Sequence, residues 1–212
     1  MAMDRRSALP VVRATVGLLG LIALGYQIAT SASAGTFDPL RFFAFFTVLS
    51  NLFAAFLLLA MATVWRDVHS RRVDLLRGAA VVYLVVTFVV VILFLSGEDL
   101  QVAVNWVDLV VHKLVPVYLV ADWLLDPPST RLTGRQTLAW LVFPLVWVAV
   151  TLVRGAIDGW YPYPFLDPAN GGYASVAIYV VGIFVGFLAI GAATMAAGNA
   201  LRERRSGAAW TV

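Results

Sequence analysis

The chain has 212 residues, of which 61% are hydrophobic and only 13% are charged, and its mean hydropathy is +0.88. So few charged side chains cannot cover a water-soluble globule of this size, so the composition excludes that class and predicts an integral membrane protein. The sequence has no cysteine and two histidines, which excludes disulfides and thiolate chemistry and argues against a metal site or a cofactor. The net charge of +3 is modest and lies in loops, which argues against nucleic acid as a partner.

About 20 apolar residues cross a hydrocarbon core of about 30 Å, and stretches of this kind occur six times along the chain. The predicted spans lie near residues 11–33, 42–64, 78–95, 106–125, 137–153 and 174–200. The first is expected to be retained, because no clean signal-peptidase site precedes the next span. With no second domain and no internal repeat, the prediction is one all-α domain over residues 1–212, a bundle of six transmembrane helices.

The arginines predict the orientation of these spans. Arg41 and Arg154 are the two that fall in loops on one side of the predicted membrane, and twelve fall on the other. Those twelve are Arg5, Arg6, Arg13, Arg66, Arg71, Arg72, Arg77, Arg131, Arg135, Arg202, Arg204 and Arg205. Because cytoplasmic loops carry the excess of positive charge, both termini are predicted to be cytoplasmic, in the inner membrane if the protein is bacterial.

The fourth predicted span is unusual because it carries several ionisable side chains. They are Asp108, His112, Lys113 and Asp122. A charge near the bilayer centre costs about 2.5 to 3.5 kcal/mol on insertion scales, so partners, a wet cavity or a function should hold these groups there. Asp122 lies near the cytoplasmic end, where Arg131 or Arg135 is its expected partner.

Three polar residues of the second span, Thr47, Ser50 and Asn51, share one helical face. Such residues often serve helix packing alone. However, Thr47 and His112 each lie six positions inside the predicted outer boundary, so both are expected roughly 9 Å below it. A hydroxyl becomes a nucleophile when a neighbouring imidazole takes its proton, so a Thr47–His112 pair is a candidate catalytic site. Ser50 is the reserve nucleophile, and either Asn51 or a backbone amide near Asp108 is a candidate oxyanion donor.

The residues around His112 allow more than one interpretation. Asp108 lies four residues earlier on the same face and would orient the ring; equally, Asn105 and Asp108 resemble a helix cap. Lys113 is either a headgroup anchor or a contact for a substrate carboxylate or phosphate. Pro116 removes the backbone hydrogen bond to the His112 carbonyl and is expected to kink the helix.

Two further segments, a loop and a glycine pattern, carry predictions that do not involve the Thr47–His112 pair. The loop of residues 154–173 is rich in Pro, Gly and aromatic residues, so it is either an interfacial anchor or a lid over an outward-facing cavity. As a lid it would bring Tyr161 and Tyr163 to a substrate. In the last span, Gly182 and Gly186 form a G-x-x-x-G pattern, which is usually a packing face and sometimes a contact between copies of the chain, as in a homo-oligomer.

Three motifs carry a resemblance to a known family. They are FFTVLSN at Phe45 to Asn51, HKLVPVYLVADW at His112 to Trp123, and YPYPFLD at Tyr161 to Asp167. The chain resembles six-pass bacterial membrane proteins related to the animal androgen-induced membrane hydrolases, which cleave fatty acid esters of hydroxy fatty acids. The resemblance implies that Thr47 and His112 are the catalytic pair and that the substrate is a lipid or fatty acyl ester.

Two functions therefore compete. The first is an intramembrane lipid ester hydrolase with a Thr47 nucleophile and a His112 base towards the outer leaflet. The second is a non-enzymatic membrane protein in which Asp108 and His112 conduct protons, bind a solute or serve assembly. A Thr47 hydroxyl close to a His112 ring nitrogen, beside a pocket open to lipid, would favour the hydrolase.

Overall fold

The computed structural model describes residues 5–95 and 104–208, and within these ranges all regular structure is helical. The long helices are α1 Arg5–Ser33, α3 Phe46–Ala62, α4 Arg71–Phe94, α8 Val142–Asp158 and α9 Gly172–Ala208. The short helices are α2 Pro39–Phe42, α5 Asn105–Leu109, α6 Val115–Leu125 and α7 Gly134–Thr137. A π-helical segment, Val110–Leu114, joins α5 to α6, and 3₁₀ turns cover Leu138–Leu141, Pro164–Leu166 and Pro168–Asn170. The all-α prediction is confirmed.

Four helical segments of the described chain are long and apolar enough to cross a membrane. They are Ala8–Ser33, Arg71–Phe94, Gly134–Asp158 and Gly172–Ser206. The second predicted span corresponds to the shorter apolar helix Phe46–Ala62, of 17 residues. The fourth corresponds to the continuous helical stretch of residues 105–125. Charged side chains interrupt the run of apolar residues in its sequence. Length and composition therefore support an integral membrane protein with at least four membrane-length helices.

Close helix packing near the N-terminal half depends on small residues. The helices α1 and α3 pack along one another, and α3 also contacts α4. At Gly17 of α1, an added Cβ would lie 2.9 Å from the carbonyl oxygen of Ala55, so the approach of these helices requires glycine at this position. Ala23, Ala54 and Ala80 are completely buried. Helices in lipid gain stability through such contacts because they cannot rely on a hydrophobic driving force.

A buried ion-pair network joins three helices at the end of the bundle where α1 begins. Arg13 Nε donates to Asp122 Oδ1 at 2.7 Å, and Arg77 Nη2 donates to Asp122 Oδ2 at 3.0 Å. Arg13 Nη2 also donates to Asp126 Oδ2 at 2.7 Å. The prediction that Asp122 pairs with Arg131 or Arg135 is therefore wrong. The prediction that Arg13 and Arg77 lie in loops is also wrong, because both lie within helices and are paired and buried.

Asp126 follows α6 directly and completes this network. Burial acts to raise the pKa of its carboxyl, but the positive charges of Arg77 and Arg13 outweigh burial and hold that pKa below its ordinary value. Asp126 is therefore ionised at neutral pH, and the two buried guanidinium groups face two carboxylates.

The glycine pattern in α9 faces away from the rest of the described chain. An added Cβ at Gly182 or Gly186 would meet no atom within 4 Å. Neither glycine is thus needed for packing within one copy, and a contact between copies through this face stays a prediction.

Candidate functional site

Thr47 lies in the first turn of α3, where a backbone N–H has no intrahelical acceptor. Its partner is the phenol of Tyr163: the Thr47 N–H donates to Tyr163 Oη at 3.4 Å, and Thr47 Oγ1 lies 3.4 Å from the same oxygen. The two residues are separated by 116 positions in the sequence, and both side chains are buried. The loop between α8 and α9 therefore places Tyr163 beside the candidate nucleophile.

Ser50 and Asn51 are committed to backbone contacts. Ser50 Oγ donates to the carbonyl oxygen of Phe46 at 2.7 Å, and the residue is fully buried, which makes it a poor reserve nucleophile. Asn51 Nδ2 donates both to the carbonyl oxygen of Thr47 at 2.9 Å and to that of Val111 at 3.1 Å. The amide thus links the Thr47 turn to the residue preceding His112.

His112 is at the centre of the π-helical segment Val110–Leu114. The segment ends just before Pro116, and the Val115 N–H donates to the Val110 carbonyl oxygen, five residues back. The proline that was expected to kink the helix is therefore accommodated by a wider turn. Such a turn changes the direction of the side chains it contains, and π segments occur frequently at functional sites.

Asp108 orients the imidazole of His112. Asp108 Oδ1 lies 2.8 Å from His112 Nδ1, one helical turn away. A carboxylate only accepts hydrogen bonds, so this contact places the proton of the neutral ring on Nδ1 and leaves a lone pair on Nε2. The alternative cap role is not supported, because α5 begins after Val104 and has no side-chain cap.

Lys113 shares the same carboxylate. Its Nζ lies 3.4 Å from Asp108 Oδ2, and its side chain is 53% exposed. Asp108 therefore contacts a buried imidazole on one side and a half-exposed ammonium on the other. This leaves the Lys113 ammonium accessible to an anionic group outside the bundle.

The Thr47 and His112 side chains lie on neighbouring segments but are not hydrogen-bonded to one another. Among the described residues, Thr47 Oγ1 pairs with Tyr163 and His112 pairs with Asp108. The link between the two segments runs through Asn51. The structure thus brings the predicted residues into one region without the direct contact of a preformed catalytic pair.

An apolar cavity of about 80 Å³ lies on the Tyr163 side of Thr47. Side chains of α3, α4, α8, α9 and the loop between α8 and α9 line it, and of these lining residues only Thr47, Thr87 and Tyr163 carry hydroxyl groups. The hydroxyl of Thr87 already donates to the Tyr83 carbonyl oxygen at 2.9 Å. Leu145 lines the cavity and is 48% exposed, so at this position one side chain separates the cavity from the outside of the bundle. His112 does not line it.

Tyr163 is held in place by aromatic neighbours. Its ring stacks on Phe165 with centroids 5.2 Å apart and an interplanar angle of 4°, and the edge of Phe45 meets it at 5.6 Å. Burial raises the pKa of the Tyr163 phenol, although its hydrogen bonds with Thr47 oppose the shift. The phenol therefore remains protonated well above neutral pH.

Of the two tyrosines predicted as substrate contacts, only Tyr163 reaches the cavity. The ring of Tyr161 packs against Gly155, where it occupies the space that a Cβ would need. The sequence alone does not predict the contact of Tyr163 with Thr47, nor that Thr87 and Trp147 line the cavity. The one available signal was the aromatic and proline content of the loop, which favours a folded cap.

No protein-family model, curated protein or solved structure matches the chain. The resemblance carried by the three motifs therefore rests on those motifs alone, and membership of that family stays a prediction.

Proposed function

We propose that the protein is an integral membrane hydrolase of lipid esters, with Thr47 as nucleophile and His112 as general base. The observation that supports this proposal best is the position of Thr47 in the wall of an apolar cavity, whose lining also includes the exposed apolar side chain of Leu145. Almost all of the cavity lining is hydrocarbon, so the cavity suits the part of an acyl chain next to the ester and not a polar group. An imidazole oriented by a carboxylate lies on the adjoining helix.

In the proposed reaction, Thr47 Oγ attacks the ester carbonyl carbon while His112 Nε2 takes the hydroxyl proton. The tetrahedral intermediate collapses, and the leaving alkoxide takes that proton from His112 and departs as an alcohol. Water then attacks the acyl-Thr47 ester and gives its proton to His112, which returns it to Thr47 Oγ. The products are an alcohol and a fatty acid.

The supporting residues have separate parts in this scheme. Asp108 keeps the His112 proton on Nδ1 and stabilises the imidazolium that forms. Lys113, half exposed beside Asp108, would bind a carboxylate or phosphate of the substrate lipid. The base must reach Thr47 directly or through one water, and such contacts often tighten only when substrate binds.

The test is fluorophosphonate labelling of the purified protein in detergent, with the modified peptide identified by mass spectrometry. The probe phosphonylates an activated hydroxyl, so labelling at Thr47 is expected in the wild type and none in Thr47→Ala. Hydrolysis of simple fatty acyl esters should be lost in the same variant. Modification of Ser50 in place of Thr47 would show that Ser50 is the nucleophile. A folded wild-type protein that is not labelled would contradict the hydrolase proposal.

A second candidate is a non-enzymatic carrier or assembly partner built on Asp108 and His112. The observation in its favour is that the hydrogen bonds of the Asp108–His112–Lys113 cluster do not include Thr47. In that case, proton or solute flux across vesicles would depend on His112 and be indifferent to Thr47→Ala.

We also propose six crossings with both termini in the cytoplasm, since the basic residues cluster on one side. The chain has no cysteine, so single cysteines can be introduced without a background. In intact cells, a membrane-impermeant maleimide is expected to label Asn170→Cys and to spare Arg135→Cys, both at exposed positions. The pattern should reverse in inverted vesicles, and labelling of both variants from one side would refute this topology.

A further inference from the structure

We propose that Tyr163 supplies the oxyanion donor of this site, its phenol acting with the backbone N–H of Thr47 on the substrate carbonyl oxygen. The inference rests on the proposed hydrolase function. It starts from one contact: Tyr163 Oη lies 3.4 Å from both the nitrogen and Oγ1 of Thr47. The Tyr163 hydroxyl is therefore next to both the nucleophilic oxygen and the backbone N–H of Thr47. Negative charge would develop at this place on the substrate carbonyl oxygen when Thr47 attacks.

The two contacts are long for hydrogen bonds, and this suits a group that exchanges partners. Optimal N–H···O and O–H···O bonds are about 2.7 to 3.0 Å, so the pair in the resting state is loosely made. A carbonyl oxygen entering from the cavity would accept from the Thr47 N–H and from the Tyr163 O–H. No covalent bond to Tyr163 forms or breaks, and its proton stays on the phenol throughout.

The other donors near Thr47 are already engaged. Asn51 Nδ2 serves two carbonyl oxygens, those of Thr47 and Val111, so using it as the oxyanion donor would break the link between two helices. Ser50 donates to the Phe46 carbonyl oxygen. Tyr163 differs from both, because it lines the cavity and its hydroxyl lies at the start of α3, beside the Thr47 hydroxyl and the backbone N–H groups of Thr47 and Phe46.

The surroundings of Tyr163 preorganise it as a donor. Phe165 stacks on the ring, and Phe45 and Trp147 pack against it with centroids 5.6 and 5.9 Å away. Because burial raises the pKa of the phenol, it keeps its proton at the pH of the reaction and is not a base. A fixed, protonated hydroxyl in an apolar environment stabilises charge far more than one in water.

The competing explanation is structural: Tyr163 would merely satisfy the orphan N–H at the start of α3 and hold the loop down. A structural role affects folding and probe binding, whereas an oxyanion donor affects the rate of the chemical step. The two are separated by measuring the maximal labelling rate and the apparent affinity of a fluorophosphonate, with melting temperature as the control for folding.

The experiment compares wild type, Tyr163→Phe and Tyr179→Phe. The first variant keeps the stacked ring and removes only the hydroxyl, and we expect the maximal labelling rate of Thr47 to fall about 10²-fold to 10³-fold with an affinity within about twofold. Tyr179 belongs to the same aromatic cluster through Phe165 but does not line the cavity, so Tyr179→Phe should label as the wild type does. An unchanged maximal rate in Tyr163→Phe would overturn the proposal, as would a change in affinity alone.

If Tyr163→Phe melts early, 3,5-difluorotyrosine at position 163 provides a second test. The fluorinated phenol ionises at lower pH and then has no proton to donate, so its labelling rate should fall as pH rises while the wild-type rate does not. Matching pH profiles, over a range in which the phenolate absorbance shows that the fluorinated phenol ionises, would overturn the proposal. Failure of the folded wild type to label would overturn the hydrolase itself, whereas wild-type labelling with an unaffected Tyr163→Phe would overturn only the role of Tyr163.

Discussion

Replacing His112 with alanine is expected to lower the rate of fluorophosphonate labelling at Thr47 by about 10²-fold to 10⁴-fold, the usual contribution of a general base. The physical reason is that a threonine hydroxyl is almost entirely protonated at neutral pH, so it needs a neighbouring lone pair to accept its proton. His112 Nε2 offers that lone pair because Asp108 holds the ring proton on Nδ1. The labelling rate, followed by gel fluorescence and by mass spectrometry of the Thr47 peptide, measures the effect.

Asp108→Asn should give a smaller fall in the same assay. An asparagine amide can still contact Nδ1, but it no longer stabilises the imidazolium and no longer fixes the tautomer. The matched control is His69→Ala, since His69 is the other histidine and lies exposed in the loop between α3 and α4. It should label as the wild type does. Full labelling of a folded His112→Ala protein would remove His112 from the mechanism.

Local patterns in the sequence predict the long helices and one contact of the candidate site, that of Asp108 with His112. Runs of apolar residues locate the long helices because membrane thickness sets their length. The contact of Asp108 with His112 follows from their separation by one helical turn. Both inferences need only information within one helix.

The contacts that the sequence did not predict join distant parts of the chain. Tyr163 and Thr47 are 116 positions apart, and Arg13 and Asp122 are 109 apart, so no periodicity relates them. The positive-inside rule treats every arginine outside an apolar run as solvated, and Arg13 is buried. A buried arginine instead signals a buried acid, and only the fold tells which one. Pro116 likewise predicts a disturbed helix. It does not predict that the disturbance is a π-helical turn with His112 at its centre.

The ion-pair network makes Asp122 the side chain whose loss should destabilise the fold most. Asp122→Asn is expected to lower the free energy of unfolding by about 3 to 5 kcal/mol, the usual cost of breaking a buried pair by removing one partner. The substitution leaves the buried guanidinium groups of Arg13 and Arg77 facing the single carboxylate of Asp126, which is partly exposed. Denaturant unfolding in detergent micelles, followed by tryptophan fluorescence or circular dichroism, measures the change.

Two comparisons separate this network from ordinary surface charge. Asp67→Asn removes a carboxylate from an exposed loop and should change stability by less than about 0.5 kcal/mol. Arg13→Gln combined with Asp122→Asn should cost less than the sum of the two single changes, because the pair is coupled and the double variant leaves fewer charges uncompensated. Additive effects, or an Asp122→Asn variant as stable as Asp67→Asn, would mean that the network is hydrated and does not hold α1, α4 and α6 together.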